Sequence, residues 1–355
     1  MKKQLIIIVL TVLAPVFPSC QKDIEIKHVG NECELSLNAA LRAGASDQEV
    51  YVAASYHDKV RGVKAAHLDC YVNGVLSASS DSLVSVYNSI RGEVMKIPFN
   101  VEFSPGDNVR IEVAADGMGA SAESCAPEPG CIVSADTTDI VKIANGRRKV
   151  LKRLRVRLQD VPDVKNFYRV ETFVKFRVTR TFLGKDDDRP VGDETVRTGI
   201  IRVKADNMMD PVLYSGSQSG FNWNYDPDDR DFYENEYNLF TDASFRDKEY
   251  VMTLLTGNFR DMYDFRNVSY TPDSRISEKR TLVIRLSTMD SDMYSYYNAC
   301  MFDDSWQSYE DYLPAIPYPD NVSGGNGLVG AVSVYDYEME LPFIEDLYKY
   351  RYGNL

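Results

Sequence analysis

Six carboxylates lie close together between Asn222 and Glu236. Carboxylate oxygens at this density can bind calcium, a hard cation that takes several oxygen ligands. The Asp-x-Asp-x-Asp-Gly order of an EF-hand is missing, and Arg230 inside the cluster competes for the same carboxylates. The candidate calcium ligands are Asp226, Asp228 and Asp231, and the alternative, which we favour, is an exposed acidic loop.

Aromatic residues suited to binding a ligand occur in two polar segments. Exposed aromatic faces contact sugars, peptides and protein partners. The candidate ligand-binding residues for a carbohydrate or peptide are Trp223, Tyr225, Trp306, Tyr309 and Tyr312. The alternative is that these rings cover the ends of the hydrophobic core.

Two glycine-containing segments match enzyme motifs only in part. Gly325–Gly330 has the Gly-x-Gly-x-x-Gly spacing of a dinucleotide site, but a proline-containing stretch precedes it and a strand-like alternation, Ala331–Tyr337, follows it. These glycines are better explained by a tight loop that leads into a final strand. Gly216–Gly220 resembles a nucleophile elbow, yet its central residue is Gln218.

Other enzyme signatures are scarce. The three histidines are His28, His57 and His67, and neither His-Glu-x-x-His nor paired-cysteine spacing is present. We therefore expect no catalytic residue, no zinc and no cofactor. A hydrolase that uses a pair of carboxylates is the least favoured alternative, because the separation of such a pair is set only in three dimensions.

Residues 145–158 hold seven basic residues and no acid. Leu154, Val156 and Leu158 alternate with arginines, which predicts a strand with one basic face. This face either binds an anionic ligand such as a lipid phosphate or an acidic sugar, or pairs with carboxylates on neighbouring strands. We favour the second interpretation.

The amino terminus has the features of an exported lipoprotein. Lys2 and Lys3 precede an apolar run of ten residues, Leu5–Ala14, which is too short to span a bilayer as a helix. Cys20 follows Ser19 just after this run, where bacterial lipoproteins are cleaved and acylated on the new terminal cysteine. Cys20 is therefore the predicted lipid anchor, and the alternative is ordinary signal-peptidase cleavage nearby.

Five further cysteines follow in a chain that we expect to be exported, where disulfides are plausible. Cys125 and Cys131 bracket a turn-rich Ala-Pro-Glu-Pro-Gly segment and form the preferred pair. Cys33 with Cys70 is the weaker pair, and Cys300 remains as a thiol. Connectivity does not follow from sequence alone.

Composition excludes some classes of protein. The chain has 355 residues, 44% of them hydrophobic, so it can bury a core. Its net charge of −13 becomes −15 when residues 1–19, with their two lysines and no acid, are removed. An acidic surface repels phosphates, so a nucleic acid is not an expected partner.

Alternating apolar residues and turn signals predict mainly β structure. Leu68–Val72 and Val75–Ala78 flank Asn73-Gly74, the typical sequence of a type I′ hairpin. Residues 99–113 repeat the pattern around Pro105-Gly106-Asp107, which predicts a second hairpin. We expect an immunoglobulin-like or transthyretin-like β-sandwich over residues 33–140.

The remainder of the chain, residues 141–355, predicts a larger β-rich domain of sandwich or barrel-like form. It contains one amphipathic helix within Ser287–Phe302, where methionines and tyrosines recur at helical spacing. Residues 1–19 are the predicted signal peptide, and residues 20–32 the lipidated tether.

Several stretches, in this order along the chain, resemble the Bacteroidetes outer-membrane lipoprotein family known as domain of unknown function 4249. They are Ser19-Cys20, Phe103–Asp107, Arg110–Val113, Ala120–Glu123, Phe167–Val170, Leu239–Asp242, Tyr294–Tyr297 and Asn321–Ala331. The resemblance spans nearly the whole mature chain, and Val329 stands where an aromatic residue is commoner in that family.

The resemblance implies an outer-membrane lipoprotein, anchored in lipid through Cys20, that often accompanies TonB-dependent transporters. It supplies no catalytic residue. The expected function is to capture a ligand for, or dock onto, a β-barrel receptor, and the alternative is a structural or adhesive surface module. Asp23 and Glu25 after the anchor resemble a surface-export signal, so we expect the protein at the cell surface, although Lys22 interrupts the signal.

Overall fold

The computed structural model describes residues 33–56, 59–88, 92–144, 147–184, 190–207, 209–215, 235, 237–257, 274–306 and 318–345. Residues 1–32, with the predicted signal peptide, Cys20 and the tether, lie outside these ranges. The chain is mainly β, as predicted.

Eighteen strands occur in the described residues. They are β1 Glu34–Arg42, β2 Asp47–Tyr56, β3 Lys59–Arg61, β4 Ala66–Val72, β5 Val75–Ser80, β6 Val84–Asn88, β7 Gly92–Asn100, β8 Asn108–Ala115, β9 Met118–Cys125, β10 Cys131–Ala144, β11 Arg147–Gln159, β12 Phe167–Leu183, β13 Pro190–Val203, β14 Ala205–Asp206, β15 Leu239–Thr241, β16 Glu249–Gly257, β17 Ser274–Met289 and β18 Gly325–Glu340. Two helices accompany them, α1 Pro211–Ser215 and α2 Ser291–Trp306.

The strands form one long sheet and two short ones. The ten-stranded sheet has the order β13-β12-β17-β18-β1-β2-β7-β6, with β15 beside β12 and β3 beside β2. One four-stranded sheet, β5-β4-β8-β9, covers its amino-terminal half, and the other, β10-β11-β16-β14, covers its carboxy-terminal half. The molecule therefore consists of two sandwiches that share one sheet.

The amino-terminal sandwich packs alternate residues of β1, β2 and β7 against those of β4 and β8. Leu37, Val52, Leu68 and Ile111 are fully buried between these sheets. The hairpin β4–β5 forms as predicted, with φ of 51° at Asn73 and 78° at Gly74, the left-handed values that a type I′ turn requires.

The prediction of a second hairpin over residues 99–113 is wrong. A turn does form at Pro105-Gly106, where the Asp107 amide donates to the carbonyl of Ser104 at 3.1 Å. However, β7 belongs to the long sheet and β8 to the short one, so the chain crosses between the sheets instead of folding back. The apolar alternation is the same in both cases, because each strand buries one face in either arrangement.

The carboxy-terminal sandwich confirms the predicted strand with one basic face. Leu154, Val156 and Leu158 of β11 are buried against the even-numbered residues of β12, among them Val174 and Val178. The predicted division at residues 140 and 141 falls inside β10, so it does not coincide with a linker. The two cores instead divide between Ala126 and Ile132.

Strand β18 connects the two halves. It pairs antiparallel with β17 and parallel with β1, and its residues Val329 and Ala331 belong to the amino-terminal core. The last part of the chain therefore completes the first sandwich.

Helix α2 packs on the outer face of the long sheet, against β12, β15 and β18. Asp290 caps its first turn by accepting the Met293 amide at 2.7 Å, and also accepts the hydroxyl of Ser124 at 2.8 Å. The predicted helix is thus confirmed with later bounds, since Met289 is the last residue of β17. Buried Met293 and Ala299 face the sheet.

Candidate ligand-binding surface

Tyrosines gather where α2 lies on the long sheet. The ring of Tyr294 lies 5.0 Å from Phe167, that of Tyr297 lies 5.6 Å from Tyr237, and that of Tyr296 lies 5.6 Å from Tyr318. These six rings, which we call the tyrosine surface, are all partly exposed. Helical spacing in α2 and strand alternation in β12 place them on one side of the molecule.

Arg169 lies at the centre of the tyrosine surface. Its guanidinium is 5.2 Å from the Tyr297 ring and 5.5 Å from the Tyr237 ring, both within cation–π range. Glu171 accepts from Arg169 at 2.9 Å and from Arg202 at 3.2 Å. Only 15% of the Arg169 side chain is exposed. The two rings and the Glu171 carboxylate therefore hold its guanidinium in place.

A buried amide network holds Tyr237 in position. The Asn235 side chain donates to the carbonyls of Leu213 and Leu239, and its oxygen accepts the Leu239 amide at 2.9 Å. Asn207 donates to the Asn235 carbonyl and to the side-chain oxygen of Asn238. These bonds fix the chain on both sides of Tyr237, so its ring has a defined place beside Tyr297.

Paired charges border the tyrosine surface along the sheet. Arg285 makes a bidentate pair with Asp336, both bonds at 2.8 Å, and stacks over Phe173 at 5.3 Å. Lys175 of β12 pairs with Glu338 of β18. Aromatic faces beside fixed hydrogen-bonding groups are the combination that binds sugars and peptides.

Four of the five predicted ligand-binding residues, Trp223, Tyr225, Tyr309 and Tyr312, lie outside the described residues, and Trp306 is described only as the last residue of α2. The flanking residues are informative. Tyr237 follows the first aromatic segment closely, and Tyr318 follows the second, and both contact α2. Tyr237 and Tyr318 therefore belong to the same surface as α2.

The predicted calcium ligands Asp226, Asp228 and Asp231 also lie outside the described residues. Among the residues with described positions, no group of three or more His, Cys, Asp or Glu side chains is placed to bind a metal. In the same part of the chain, no helix has the length and apolar character needed to cross a membrane.

The basic face of β11 agrees with the interpretation that we favoured. Lys152 pairs with Asp139 of β10, and Arg157 with Glu249 of β16 at 3.0 Å. Arg155 is exposed, and its register partner on β10 is Asp136. Carboxylates on both neighbouring strands therefore pair with two of its basic side chains.

The predicted disulfides are wrong, because Cys125 and Cys131 are free thiols, and so are Cys33 and Cys70. Cys125 ends β9 and Cys131 begins β10, and these strands belong to different sheets, so the intervening segment crosses between sandwiches. Cys70 is buried in the first core, whereas Cys33 is partly exposed near Arg61. Burial raises the pKa of the Cys70 thiol to about 11, which disfavours the reactive thiolate.

The glycine-rich segment is a strand, which corrects the predicted loop. Residues 325–330 pair in parallel with β1, and a β-carbon at Gly325 would lie 2.2 Å from the Leu35 carbonyl oxygen. These glycines allow close approach of two backbones. A strand, not a helix, continues from them, so the dinucleotide fingerprint has no structural basis.

His67 is the one histidine among the described residues. Its ring lies 2.7 Å from Asp81 and 3.3 Å from Asp69, and about half of its side chain is exposed. The hydrogen bond to Asp81 raises the pKa of His67 above its usual value. The Ser79 hydroxyl is bonded to Asp69 at 2.5 Å, so it is not aligned with the imidazole as a nucleophile.

Arg169, Tyr237 and Glu171 were not among the ligand-binding residues predicted from the sequence. Tyr297 was visible through its helical spacing, but its neighbours Arg169 and Tyr237 come from β12 and from the segment before β15, more than fifty residues away. The sequence offered only the outward position of Arg169 next to Tyr168, which is buried with its hydroxyl donating to Asp160 at 2.6 Å.

Comparisons with known proteins place the chain in a family but give little on fold. No curated protein matches. Among solved structures, a DUF4785 family protein from Legionella pneumophila is 7% identical in sequence, with a TM-score of 0.21. The match covers 72% of this chain and 52% of the Legionella chain. This chain thus spans about half of that one. A structure named BspA_C_WT is 8% identical with a TM-score of 0.13, covering 86% and 99%. Scores this low carry no argument.

The family model is informative because of its extent. It matches residues 21–338, which includes both sandwiches, the tyrosine surface and the glycine-rich strand. The chain therefore belongs to the family described as domain of unknown function DUF4249.

Proposed function

We propose that this protein is a non-enzymatic outer-membrane lipoprotein that captures a carbohydrate or peptide ligand for a TonB-dependent uptake system. The observation that carries the proposal is the tyrosine surface with Arg169 at its centre. Ring faces and a held guanidinium recognise polar ligands without reacting with them. Cys20 and the apolar run before it support attachment to lipid.

Ligand capture is testable through the two tryptophans, Trp223 and Trp306, which both belong to the predicted binding segments. We expect oligosaccharides from xylan, mannan or glucan, or peptides from digested casein, to shift the tryptophan emission. Tyr297→Ala removes a ring that holds Arg169, and it should weaken binding by about tenfold, since an aromatic contact is worth roughly 1 kcal/mol or more. The measurement is a fluorescence titration.

The matched control is Tyr71→Ala. Tyr71 lies under Arg110 at 5.0 Å in the amino-terminal sandwich, so it makes the same kind of contact far from the tyrosine surface. Its loss should leave affinity unchanged. Equal weakening by both variants, or no emission change with any probe, contradicts ligand capture at this surface.

Association with a transporter is a separate expectation. After gentle detergent extraction, the full lipoprotein should co-purify with a β-barrel receptor, and deletion of the gene should reduce uptake of the ligand. Cys20→Ser, which removes the predicted acylation site, should lower the yield of the complex. Recovery without a β-barrel partner, together with unchanged uptake, contradicts this part of the proposal.

A structural or adhesive surface module is the second candidate. It is favoured by the ten-stranded sheet that both sandwiches share, since a continuous sheet suits a spacer. Such a module predicts normal surface attachment with no soluble ligand, so the fluorescence titration separates the two functions.

A further inference from the structure

In the described part of the chain, strand β13 is an edge of the long sheet, and most of its side chains are exposed. Among the described strands it pairs only with β12, and of its fourteen residues only Val203 is buried. Val191 is 69% exposed and Ile200 is 56% exposed. A long edge strand with exposed β-branched residues presents free backbone donors and acceptors that another strand can bind.

The side chains of β13 divide by charge along the strand. Asp193 and Glu194 lie in its first half, whereas Arg197 and Arg202 lie in its second half. An antiparallel copy of the same strand therefore places acid opposite base twice, once on each side of a two-fold axis. This self-complementarity selects a second copy of the chain as the partner.

The register with β12 makes the match specific. Asp193, Thr195, Thr198, Ile200 and Arg202 oppose the odd-numbered, outward residues of β12, because a register shift at Val178/Thr179 accommodates one extra residue. When two β13 strands pair with these faces aligned, Asp193 of each copy lies opposite Arg202 of the other, so that Arg202 lies between this carboxylate and Glu171 of its own chain, 3.2 Å away. Thr195 of one copy then lies opposite Ile200 of the other, and the two Thr198 residues lie opposite each other.

We propose that β13 pairs with β13 of a second copy, so that two ten-stranded sheets join into one across a two-fold axis at Thr198. The paired segment from Asp193 to Arg202 is about 30 Å long, at roughly 3.4 Å per residue. Two exposed edges are removed in one step. This inference does not depend on the ligand or the transporter.

The test uses the full lipoprotein extracted in mild detergent, with mass measured by light scattering corrected for detergent. The wild type should be a dimer at micromolar concentration. Asp193→Arg brings like charges together twice and should shift the protein to monomer. Adding Arg202→Asp to that variant reverses both charges and should restore the dimer. A monomeric wild type, or an Asp193→Arg variant that stays dimeric, overturns the proposal.

Cross-linking locates the axis. Thr198→Cys should form a disulfide-linked dimer in oxidised membranes, because the two residues face each other. Ser77→Cys, at another exposed position, in β5, is the control for random collision and for the natural thiols. Linkage at Thr198 that is no stronger than at Ser77, or linkage of Thr198 to a different protein, also overturns the proposal.

Discussion

Gly327→Ala should destabilise the protein by about 3 kcal/mol or more, in the upper range for single substitutions. A β-carbon at Gly327 would lie 2.1 Å from the backbone carbonyl oxygen of Leu37, well inside contact distance. Gly327 and Leu37 are register partners in paired strands, so the clash cannot be relieved by moving a side chain. The φ of 114° adds strain for any residue with a side chain. Urea unfolding followed by circular dichroism measures the effect.

Gly119→Ala is the matched control for this variant. Gly119 lies in β9, and a β-carbon there meets no heavy atom within 4 Å. Its substitution should change stability by no more than about 0.5 kcal/mol. If Gly327→Ala proves equally mild, the parallel pairing of β1 with β18 is incorrect.

Glu278→Gln should make the protein less sensitive to alkaline pH, with a gain of about 2–3 kcal/mol at pH 8. Glu278 is 1% exposed, and neither carboxylate oxygen has a hydrogen-bond partner in the described structure. Burial raises its pKa to about 7, although the charge of Arg280, 4.0 Å away, opposes this shift.

The sign follows from proton binding. In the folded state Glu278 keeps its proton up to about pH 7, whereas in the unfolded chain it loses the proton near pH 4.5. Folding therefore binds a proton between these values, and the stability that this group contributes falls as the pH rises from about 4.5 to 7. Glutamine has no such proton, so the variant loses this part of the pH dependence.

Denaturant unfolding at pH 5 and pH 8 measures the difference. Glu338→Gln is the control, because Glu338 is half exposed in a surface pair with Lys175 and should change stability by less than about 1 kcal/mol at either pH. A Glu278→Gln variant with the same pH slope as the wild type contradicts the protonation assigned to Glu278.

Local patterns in the sequence were sufficient for features that depend on near neighbours. The β4–β5 hairpin follows from Asn73-Gly74, because the positive φ values of a type I′ turn are needed at those two residues. The alternation in β11 gave both the buried row and the basic row, since side chains of a strand alternate between faces. Helix α2 was predicted from its spacing, within four residues of its bounds.

Features that depend on distant strands were not predictable in this way. Nothing near residues 325–330 reveals that β18 pairs in parallel with β1, about 290 residues earlier in the chain. The same glycines are compatible with a loop or with close approach of two backbones, and only the neighbouring strand β1 shows which of these two structures forms. For the same reason, the cysteines flanking Ala126–Gly130 looked like a closed loop, although their strands belong to different sheets.

By itself, the sequence determined the predominance of β structure, the amphipathic strands, one hairpin, the place of α2 and the family. Periodicity and turn residues encode these features within a few positions of the chain. Tertiary structure alone decided that one sheet serves two sandwiches, that Arg169 meets Tyr237 and Tyr297, and that β13 has only β12 beside it among the described strands. These depend on which strands become neighbours, and that choice is made by packing the whole chain rather than by any short segment.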